Sequence, residues 1–453
     1  MDYPELAERT RRFTIGAPRG FVVSADGARV FFLRSDGPED PVDRLWVLDL
    51  ATGTERVACD PTELAAGGAD LPPEERALRE RQRLSASGIG SFAIDRAGDL
   101  AVCAVDGRLA LVDVAAGTVS APVETRGVVD PVPDPTGRRV AYVAAGALRV
   151  FDRRTGEDAL LAGEAGSEHI TWGMAEFIAA EEFARYHGFW WAPDGGALLA
   201  ARVDDSRVHR LYLHDPATPE RPPNVVAYPA AGTPNAEVTL HLLDLEGGWV
   251  DVHWDRETYP YVVAVSWSEV GGPLVTVLRR LQQHGLVLAV DPRTGETQVH
   301  AELADPRWVE PVPGTPCHLA DGRVLIGGEL AHDGYDARCL FADGGLLTPP
   351  SLYVRRVVGR LGVDLLVEAS EGEPSEQHLY RVGTHPGSAT VELQRLTPQA
   401  GWHRGFAAAD TLVVGAASLD QPGTQWTVYR GTEMVAEIRS HATVVPYTPR
   451  PAL

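Results

Sequence analysis

The chain has 453 residues, of which 44% are hydrophobic and 23% are charged. This composition excludes general disorder and predicts several domains or an array of repeats. The 41 basic residues, all of them arginine, and the 63 acidic residues give a net charge of −22. Such an acidic chain is not expected to bind nucleic acid or an acidic membrane, and a cationic ligand or a charged peptide end is favoured instead.

The N-terminus and the cysteines indicate the compartment. No basic region followed by an apolar one begins the chain, and no run of about 18 apolar residues occurs, so neither a signal peptide nor a membrane span is predicted. The 4 cysteines are scattered, which disfavours a disulfide framework or a structural zinc site. We expect a soluble cytoplasmic protein, and the abundance of alanine, glycine and arginine suggests a bacterial source.

A polar turn that ends in glycine recurs along the chain, at residues 24–27, 95–98, 134–137, 192–195 and 319–322. A short strand followed by Asp and a tight turn also recurs, at residues 45–53, 109–113, 148–156 and 288–295. Glycine suits such turns because it adopts positive φ, and aspartate suits them because its carboxylate bonds to nearby backbone N–H groups. Both patterns predict β-hairpins.

The spacing of these turns predicts a β-propeller. Gly98 and Gly137 lie 39 residues apart, and so do Asp113 and Asp152. A period of about 40–50 residues with four short strands in each repeat is typical of propeller blades. Longer spacings elsewhere indicate insertions, and the length fits seven or eight blades. We therefore predict an all-β propeller of four-stranded antiparallel sheets with short helical inserts.

Two stretches break the β pattern. Residues 72–84 predict a short charged helix, and residues 173–187 predict a second helix. Each helix could simply cap the edge of a blade, but departures from a repeat often carry function.

Motifs for catalysis and for metals are absent. No Gly-x-Ser-x-Gly nucleophile motif, His-Glu-x-x-His motif or phosphate-binding loop occurs, and the 14 histidines are dispersed. The sequence therefore predicts no catalytic residue, no cofactor and no metal site within this chain.

Residues 175–195 resemble the glutamate helix of the dipeptidyl peptidase IV family, a Glu-Glu pair and an aromatic residue followed by Trp-Trp-x-Pro-Asp-Gly. Residues 74–84 look like the arginine segment of the subgroup of dipeptidyl peptidases eight and nine and their bacterial relatives. Residues 228–235 are similar to its Tyr-Pro turn, with Ala230 in place of the usual lysine, and residues 333–335 resemble its Gly-Tyr turn. The resemblance implies that residues 1–453 form the family's N-terminal propeller of eight blades.

The same resemblance implies the site residues. Glu181 and Glu182 match the pair that binds the α-ammonium group of a peptide, which is mostly cationic at neutral pH. An arginine of the propeller binds the carbonyl of the P2 residue, for which Arg83 is the best match and Arg81 the second choice. Adjacent glutamates point about 100° apart on an ideal helix, so both reach one ammonium only where the helix is short or irregular. The family's aromatic–Arg pair, which lines the outer part of the S2 pocket, has no match near residues 308–312.

The resemblance implies the substrate-recognition propeller of a serine exopeptidase that releases N-terminal dipeptides with Pro or Ala in second position. Its substrates are peptides with a free N-terminus. The family's α/β-hydrolase domain, with its Ser-Asp-His triad, is absent from this sequence, and we expect the isolated chain to be inactive. The alternative is a non-catalytic propeller that binds peptides or proteins. Because family enzymes often dimerise, a homodimer is a further option.

A glycosidase with paired carboxylates is a third reading. It is disfavoured because adjacent glutamates on one helix do not flank a glycosidic bond at the required separation.

Overall fold

The computed structural model describes residues 2–64, 73–81, 87–332, 334–385 and 392–445. The chain divides into two compact units, one comprising Met1–Val140 with Glu310–Leu453 and the other Ala141–Val309. Within the described ranges, nearly all regular structure is antiparallel sheet.

The first unit begins with the helix Tyr3–Arg9. The strands of the first blade are Arg19–Val23, Arg29–Arg34, Val42–Asp49 and Thr54–Cys59. The strands of the second blade are Phe92–Ile94, Leu100–Val105, Arg108–Asp113 and Thr118–Ser120. Between these blades lie the 3₁₀ turn Pro61–Glu63, the helix Pro73–Arg81 and the short strand Ser87–Gly88, which pairs in parallel with the third strand of the first blade.

Three further blades of the first unit follow late in the chain. The sixth consists of Cys317–His318, Val324–His332, Tyr335–Ala342 and Gly345–Leu346. The seventh consists of Leu352–Leu361, Asp364–Glu371, His378–Val382 and Leu393–Arg395. The eighth consists of Trp402–Ala408, Thr411–Ser418, Gln421–Arg430 and Glu433–Ile438.

The third blade contains the boundary between the units, which falls in its second strand. Its strands are Val129–Pro133, Arg139–Ala144, Ala147–Asp152 and Glu157–Ala162.

The second unit contains two blades, a hairpin and a helix. The strands of the fourth blade are Ile170–Trp172, Phe189–Trp191, Ala197–Asp204, Glu237–Asp244 and Trp249–Asp251. The fifth blade consists of Tyr261–Ser268, Gly271–Leu278, His284–Val290 and Thr297–Ala304. The hairpin pairs Arg210–Leu213 with Asn224–Ala227, and the helix is Phe177–Glu182. Eight small antiparallel sheets whose strands follow one another in the chain are the blades of a β-propeller, so the predicted fold class is confirmed.

The predicted turns are confirmed in their backbone geometry. Gly27, Gly98, Gly137 and Gly195 adopt φ values of 72°, 69°, 70° and 70°. In the second turn pattern, Asp152 Oδ1 accepts the N–H of Arg154 at 2.8 Å, and Asp291 Oδ1 accepts that of Arg293 at 2.8 Å. Turn chemistry therefore sets where each hairpin reverses.

The central strands of a blade carry its core. Every residue of Leu100–Val105 is buried, whereas most residues of the outer strand Thr297–Ala304 are exposed. A strand that is covered on both faces is apolar along its whole length. Each buried Val or Leu side chain on it stabilises the fold by about 1.5–3 kcal/mol. One core cluster of the second unit unites the fourth and fifth blades and includes Leu199, Leu240 and Val275.

Candidate functional site

The candidate site is a segment that interrupts one strand of the fourth blade. Ile170–Trp172 and Phe189–Trp191 pair with the same strand, and their register places Trp172 opposite Arg202 and Phe189 opposite Ala200. The two short strands are therefore halves of one strand, and residues 173–188 leave it and return to it. We call residues 173–188 the Glu segment.

Two glycines form the base of the Glu segment. Ala201, opposite the interruption, accepts the N–H of Gly173 at 2.8 Å and donates its own N–H to Gly188 O at 2.7 Å. The hydrogen-bond ladder of the blade therefore continues across the gap. A Cβ atom on Gly188 would lie 2.4 Å from Gly173 C and 2.4 Å from Met174 N, so only glycine fits there.

The helix of the Glu segment begins at a glutamate that caps it. Glu176 accepts the N–H of Ile178 at 2.5 Å and that of Ala179 at 2.8 Å, which satisfies two donors that have no partner inside the helix. The helix then runs over Phe177–Glu182.

The helix ends because the backbone turns left-handed after Phe183. Ala184 has a φ of 51°, and the N–H of Arg185 folds back to Ala179 O at 2.9 Å. Such a backward bond satisfies a carbonyl at the end of a helix. The predicted helix over residues 173–187 is thus correct in position and wrong in length, because Gly173 and Gly188 belong to the strand and Ala184 reverses the chain.

Glu181 and Glu182 are the last two helical residues, and both are exposed. Ala179 and Ala180 just before them are buried, at 0% and 3% exposure. The alanines therefore face the protein, while the helix presents the two glutamates to solvent. The helix is short and ends at this point, which meets the condition under which neighbouring glutamates can approach one ligand.

Apolar contacts fix the helix on the fifth blade. Ile178 and Phe183 pack against a buried cluster of Tyr261, Val263, Leu278 and Val309. The rings of Phe183 and Tyr261 have centroids 5.9 Å apart. Side chains on either side of the glutamate pair, those of Ile178 and Phe183, therefore position the helix.

The Tyr-Pro turn predicted at residues 228–235 lies beside this helix. The ring of Tyr228 meets that of Phe177 edge-on, with centroids 5.2 Å apart. Ala230 O accepts the N–H of Thr233 at 3.0 Å, which closes the turn. Two stretches that carried the family resemblance are thus in contact.

The two tryptophans that follow the Glu segment belong to the interior. Trp190 packs on the core between the fourth and fifth blades, and Trp191 is 8% exposed. They therefore pack the blade from which the Glu segment departs.

Arg185 is a residue that sequence reasoning did not select. It is buried, its Nε donates to Val262 O at 3.1 Å, and its Nη1 donates to His187 O at 2.7 Å. Its guanidinium also lies 5.8 Å from the centre of the Trp190 ring. Burial lowers the pKa of Arg185, and the charge of Glu176 opposes that change. An arginine among apolar and aromatic neighbours, Phe183 and Tyr186, was the available signal.

The two arginines predicted to bind the substrate carbonyl belong to the first unit. Arg83 lies outside the described residues. Arg81 is the last residue of the helix Pro73–Arg81 and is partly buried. Both assignments stay predictions.

The helix Pro73–Arg81, which we call the Arg helix, contains a buried ion pair. Arg79 Nη2 lies 2.7 Å from Glu75 Oε1 and also donates to Gly88 O at 2.6 Å. Burial raises the pKa of Glu75 more than the neighbouring Arg79 lowers it. The charged helix predicted from the sequence therefore contains one ion pair that is buried and not solvated.

Metal and membrane features were searched over the same ranges. No group of three His, Cys, Asp or Glu side chains among the described residues is arranged to hold a metal ion. Every helix in the described ranges is too short or too polar to cross a lipid bilayer.

A family model matches most of the chain. The model described as the dipeptidyl peptidase IV N-terminal region aligns with residues 104–426, which is more than half of the sequence. This range contains the Glu segment and the Tyr-Pro turn.

Individual relatives carry related names. The chain is 25% identical over 301 residues to the probable dipeptidyl-aminopeptidase B of Aspergillus oryzae and 28% identical over 305 residues to that of Emericella nidulans. These alignments cover 58% and 59% of this chain but 32% and 33% of the relatives. Dipeptidyl peptidase 8 of Mus musculus is 27% identical over 164 residues, which is 31% of this chain and 18% of that protein. The aligned parts thus span about a third or less of the curated relatives.

A solved structure shares the fold. Dipeptidyl peptidase 4 of Porphyromonas gingivalis superposes with a TM-score of 0.74 at 17% identity, over 97% of this chain and 62% of that chain. At this identity the likeness concerns the fold alone. The family model and the eight blades lead to one conclusion: this chain belongs to the dipeptidyl peptidase IV family, in its N-terminal propeller region.

Proposed function

We propose that this chain is the substrate-recognition and gating propeller of a serine exopeptidase that releases N-terminal dipeptides with Pro or Ala in second position. Membership in the family gives a dipeptidyl-peptidase-related role. The observation that supports the finer assignment is the exposed pair Glu181 and Glu182, presented at the end of a short helix that interrupts a blade.

The chemistry of the pair suits an α-ammonium group. Hydrogen bonds between charged groups contribute roughly 1.5–3 kcal/mol each, and the carbonyl end of a helix favours a cation. The net charge of −22 favours the approach of a positively charged peptide end. An internal peptide segment has no charge to pair with two carboxylates, so the pair selects free N-termini.

The remaining steps belong to other parts of the enzyme. Arg83, or Arg81 in its place, holds the carbonyl of the P2 residue. An α/β-hydrolase domain supplies the Ser-Asp-His triad. With the ammonium held by Glu181 and Glu182, the bond two residues from the end reaches that triad, and the pair sets the length of the released product.

Binding of a second copy of this chain is part of the proposal. The hairpin Arg210–Leu213 with Asn224–Ala227 exposes apolar side chains, and Tyr212 is 60% and Leu213 49% exposed. A lone two-stranded hairpin is marginally stable, and the strand Asn224–Ala227 carries no charged side chain in a strongly acidic chain. Two acidic copies approach most easily through such a patch. Replacing Tyr212 and Leu213 by serine should shift the mass measured by light scattering from dimer to monomer, and an unchanged mass would exclude this surface.

Calorimetry with two peptides tests the ammonium site. A peptide beginning Ala-Pro should bind the wild-type chain, and its N-acetylated form should bind at least tenfold more weakly. Glu181→Gln and Glu182→Gln should each weaken binding of the free peptide by about 10- to 100-fold. Glu246→Gln, which removes an exposed carboxylate elsewhere in the second unit, is the matched control. Equal affinity for both peptides would eliminate the ammonium site.

The alternative function is a propeller that binds peptide N-termini without cutting them. Reading the source gene beyond the codon for Leu453 separates the two functions. A continuing frame with Gly-Trp-Ser-x-Gly-Gly and later Asp and His supports the peptidase, and an immediate stop codon supports the binding protein.

A further inference from the structure

Arg185 is a buried cation that forms no ion pair with any described residue, although the charge of Glu176 acts on it. It is 8% exposed, and its Nη2 atom is buried with no hydrogen-bond partner. No carboxylate of the described residues forms an ion pair with it. A buried charge that forms no ion pair opposes folding, so the hydrogen bonds of this side chain decide what it contributes.

The bonds of Arg185 join three separate parts of the second unit. Its backbone N–H reaches Ala179 O in the glutamate helix at 2.9 Å. Its Nη1 holds His187 O, next to the returning Gly188, and its Nε holds Val262 O in the first strand of the fifth blade. One side chain therefore connects the helix, the return of the Glu segment and the neighbouring blade.

Glu181 and Glu182 lie in the chain between Ala179 and Arg185, the two residues that this backbone hydrogen bond joins. The direction of the pair depends on the left-handed turn at Ala184, and the bond from Arg185 to Ala179 closes that turn. We propose that Arg185 is the positioning residue of the ammonium site, holding the glutamate pair in place through the carbonyls of His187 and Val262. The effect of Arg185 on ligand binding rests on the proposed function. Its effect on the stability of the Glu segment does not.

The planar guanidinium group of Arg185 is what allows it to bind two carbonyls. Two N–H groups on one rigid plane can hold two carbonyls at once, whereas the ammonium of lysine is a single point on a flexible stem. Lysine at position 185 keeps the charge and loses the second bond. Arg185→Lys therefore separates positioning from electrostatics.

Hydrogen–deuterium exchange tests the positioning directly. In Arg185→Lys, the amides of residues 176–187 should exchange about tenfold faster, while those of the buried strand Ala197–Asp204 stay unchanged. Arg202→Lys, in the same blade but paired with Glu164, is the matched control and should leave the Glu segment unchanged. Unaltered exchange of residues 176–187 in Arg185→Lys would overturn the inference, whatever the ligand proves to be.

Peptide binding tests the consequence. Arg185→Lys should lower the preference for a free over an N-acetylated Ala-Pro peptide by about tenfold, at an unchanged affinity for the acetylated one. If the wild-type chain shows no such preference, the proposed function fails while the exchange result still stands. If the wild type prefers the free peptide and Arg185→Lys retains the full preference, the positioning role is wrong. Arg185→Gln, which keeps one donor for a carbonyl, provides the same readout should the lysine variant not fold.

Discussion

The Arg helix and the Glu segment each contain a buried arginine, but the two arginines are held in different ways. Arg79 is paired with Glu75 one helical turn earlier. Arg185 has only backbone carbonyls as acceptors. The Arg helix thus neutralises its buried charge with its own residue, whereas the Glu segment relies on one of its own carbonyls, that of His187, and on one from the fifth blade, that of Val262. Arg79 is thus held by charge pairing, whereas Arg185 is held by backbone carbonyls.

The largest effect is expected where the ion pair is broken. Arg79→Leu leaves Glu75 as a buried carboxylate without its partner, and the free energy of unfolding should fall by about 3 kcal/mol. The double variant Glu75→Leu/Arg79→Leu should recover most of this loss, because an apolar pair replaces the charges at little cost. Urea denaturation of the three proteins checks the prediction.

Asp40→Asn gives the matched control, since Asp40 also pairs with an arginine four residues away, Arg44, but closer to solvent. It should cost less than about 1 kcal/mol. Equal losses for Arg79→Leu and the double variant would mean that the loss does not come from an unpaired carboxylate at Glu75.

The dependence of the Glu segment on backbone geometry is tested at its base. Gly188→Ala forces a Cβ into the backbone of Gly173 and Met174, and the free energy of unfolding should fall by about 2 kcal/mol. The preference for a free peptide N-terminus should fall with it. Gly37→Ala is the control, because a Cβ there meets no neighbour, and it should change stability by less than about 0.5 kcal/mol.

Acid should act in opposite directions on Glu75 in the Arg helix and on His241 in the fourth blade. Burial raises the pKa of Glu75, so the destabilisation from its ionised form fades as the pH falls through the folded value. Burial also lowers the pKa of His241 in the fourth blade, although Asp251 lies 2.8 Å away and opposes this change. The unfolded chain then binds more protons than the folded one below about pH 6.5, and stability is lost as the pH falls further.

Denaturation at pH 7, at pH 5 and at about pH 4 measures this difference. The wild-type chain should lose more stability between pH 7 and pH 5 than His241→Gln, and Glu75→Gln should lose more than the wild type below pH 5. The same change of stability with pH in all three proteins would contradict the opposite effects predicted for Glu75 and His241.

The smallest effect is expected at the left-handed turn. Ala184 has a φ of 51°, a conformation that glycine adopts without strain. Ala184→Gly should raise the free energy of unfolding by about 0.5 kcal/mol, because relief of strain slightly exceeds the added entropy of the unfolded chain. Ala409→Gly, at the same φ of 51° in the first unit, should behave alike, and a loss of stability at position 184 alone would show that the turn is not strained.

The sequence predicted the hairpins well because their causes are local. The carboxylate of Asp152 reaches an N–H group two residues away, and Gly98 adopts positive φ within its own turn. These interactions need no distant partner, so the pattern of residues contains them. The location of the glutamate pair followed from the family resemblance for the same reason, since the motif is continuous in the chain.

The end of the glutamate helix and the role of Arg185 could not be predicted in this way. On a continuous helix, Arg185 would lie one turn after Glu181 and would be expected to pair with it. The chain instead reverses at Ala184, and the side chain of Arg185 finds Val262, far along the sequence. A contact of this kind depends on the packing of the second unit, which periodicity and spacing do not reveal.

The interrupted strand has a consequence for how this family can change. Because Gly173 and Gly188 meet at the base and Ala201 bonds to both, the hydrogen bonds that bridge the gap in the fourth blade involve none of the residues between them. A change in the length or sequence of residues 174–187 therefore leaves the register of the strands in this blade unchanged. New ligand preferences could thus evolve, or be engineered, at a site whose scaffold stays the same.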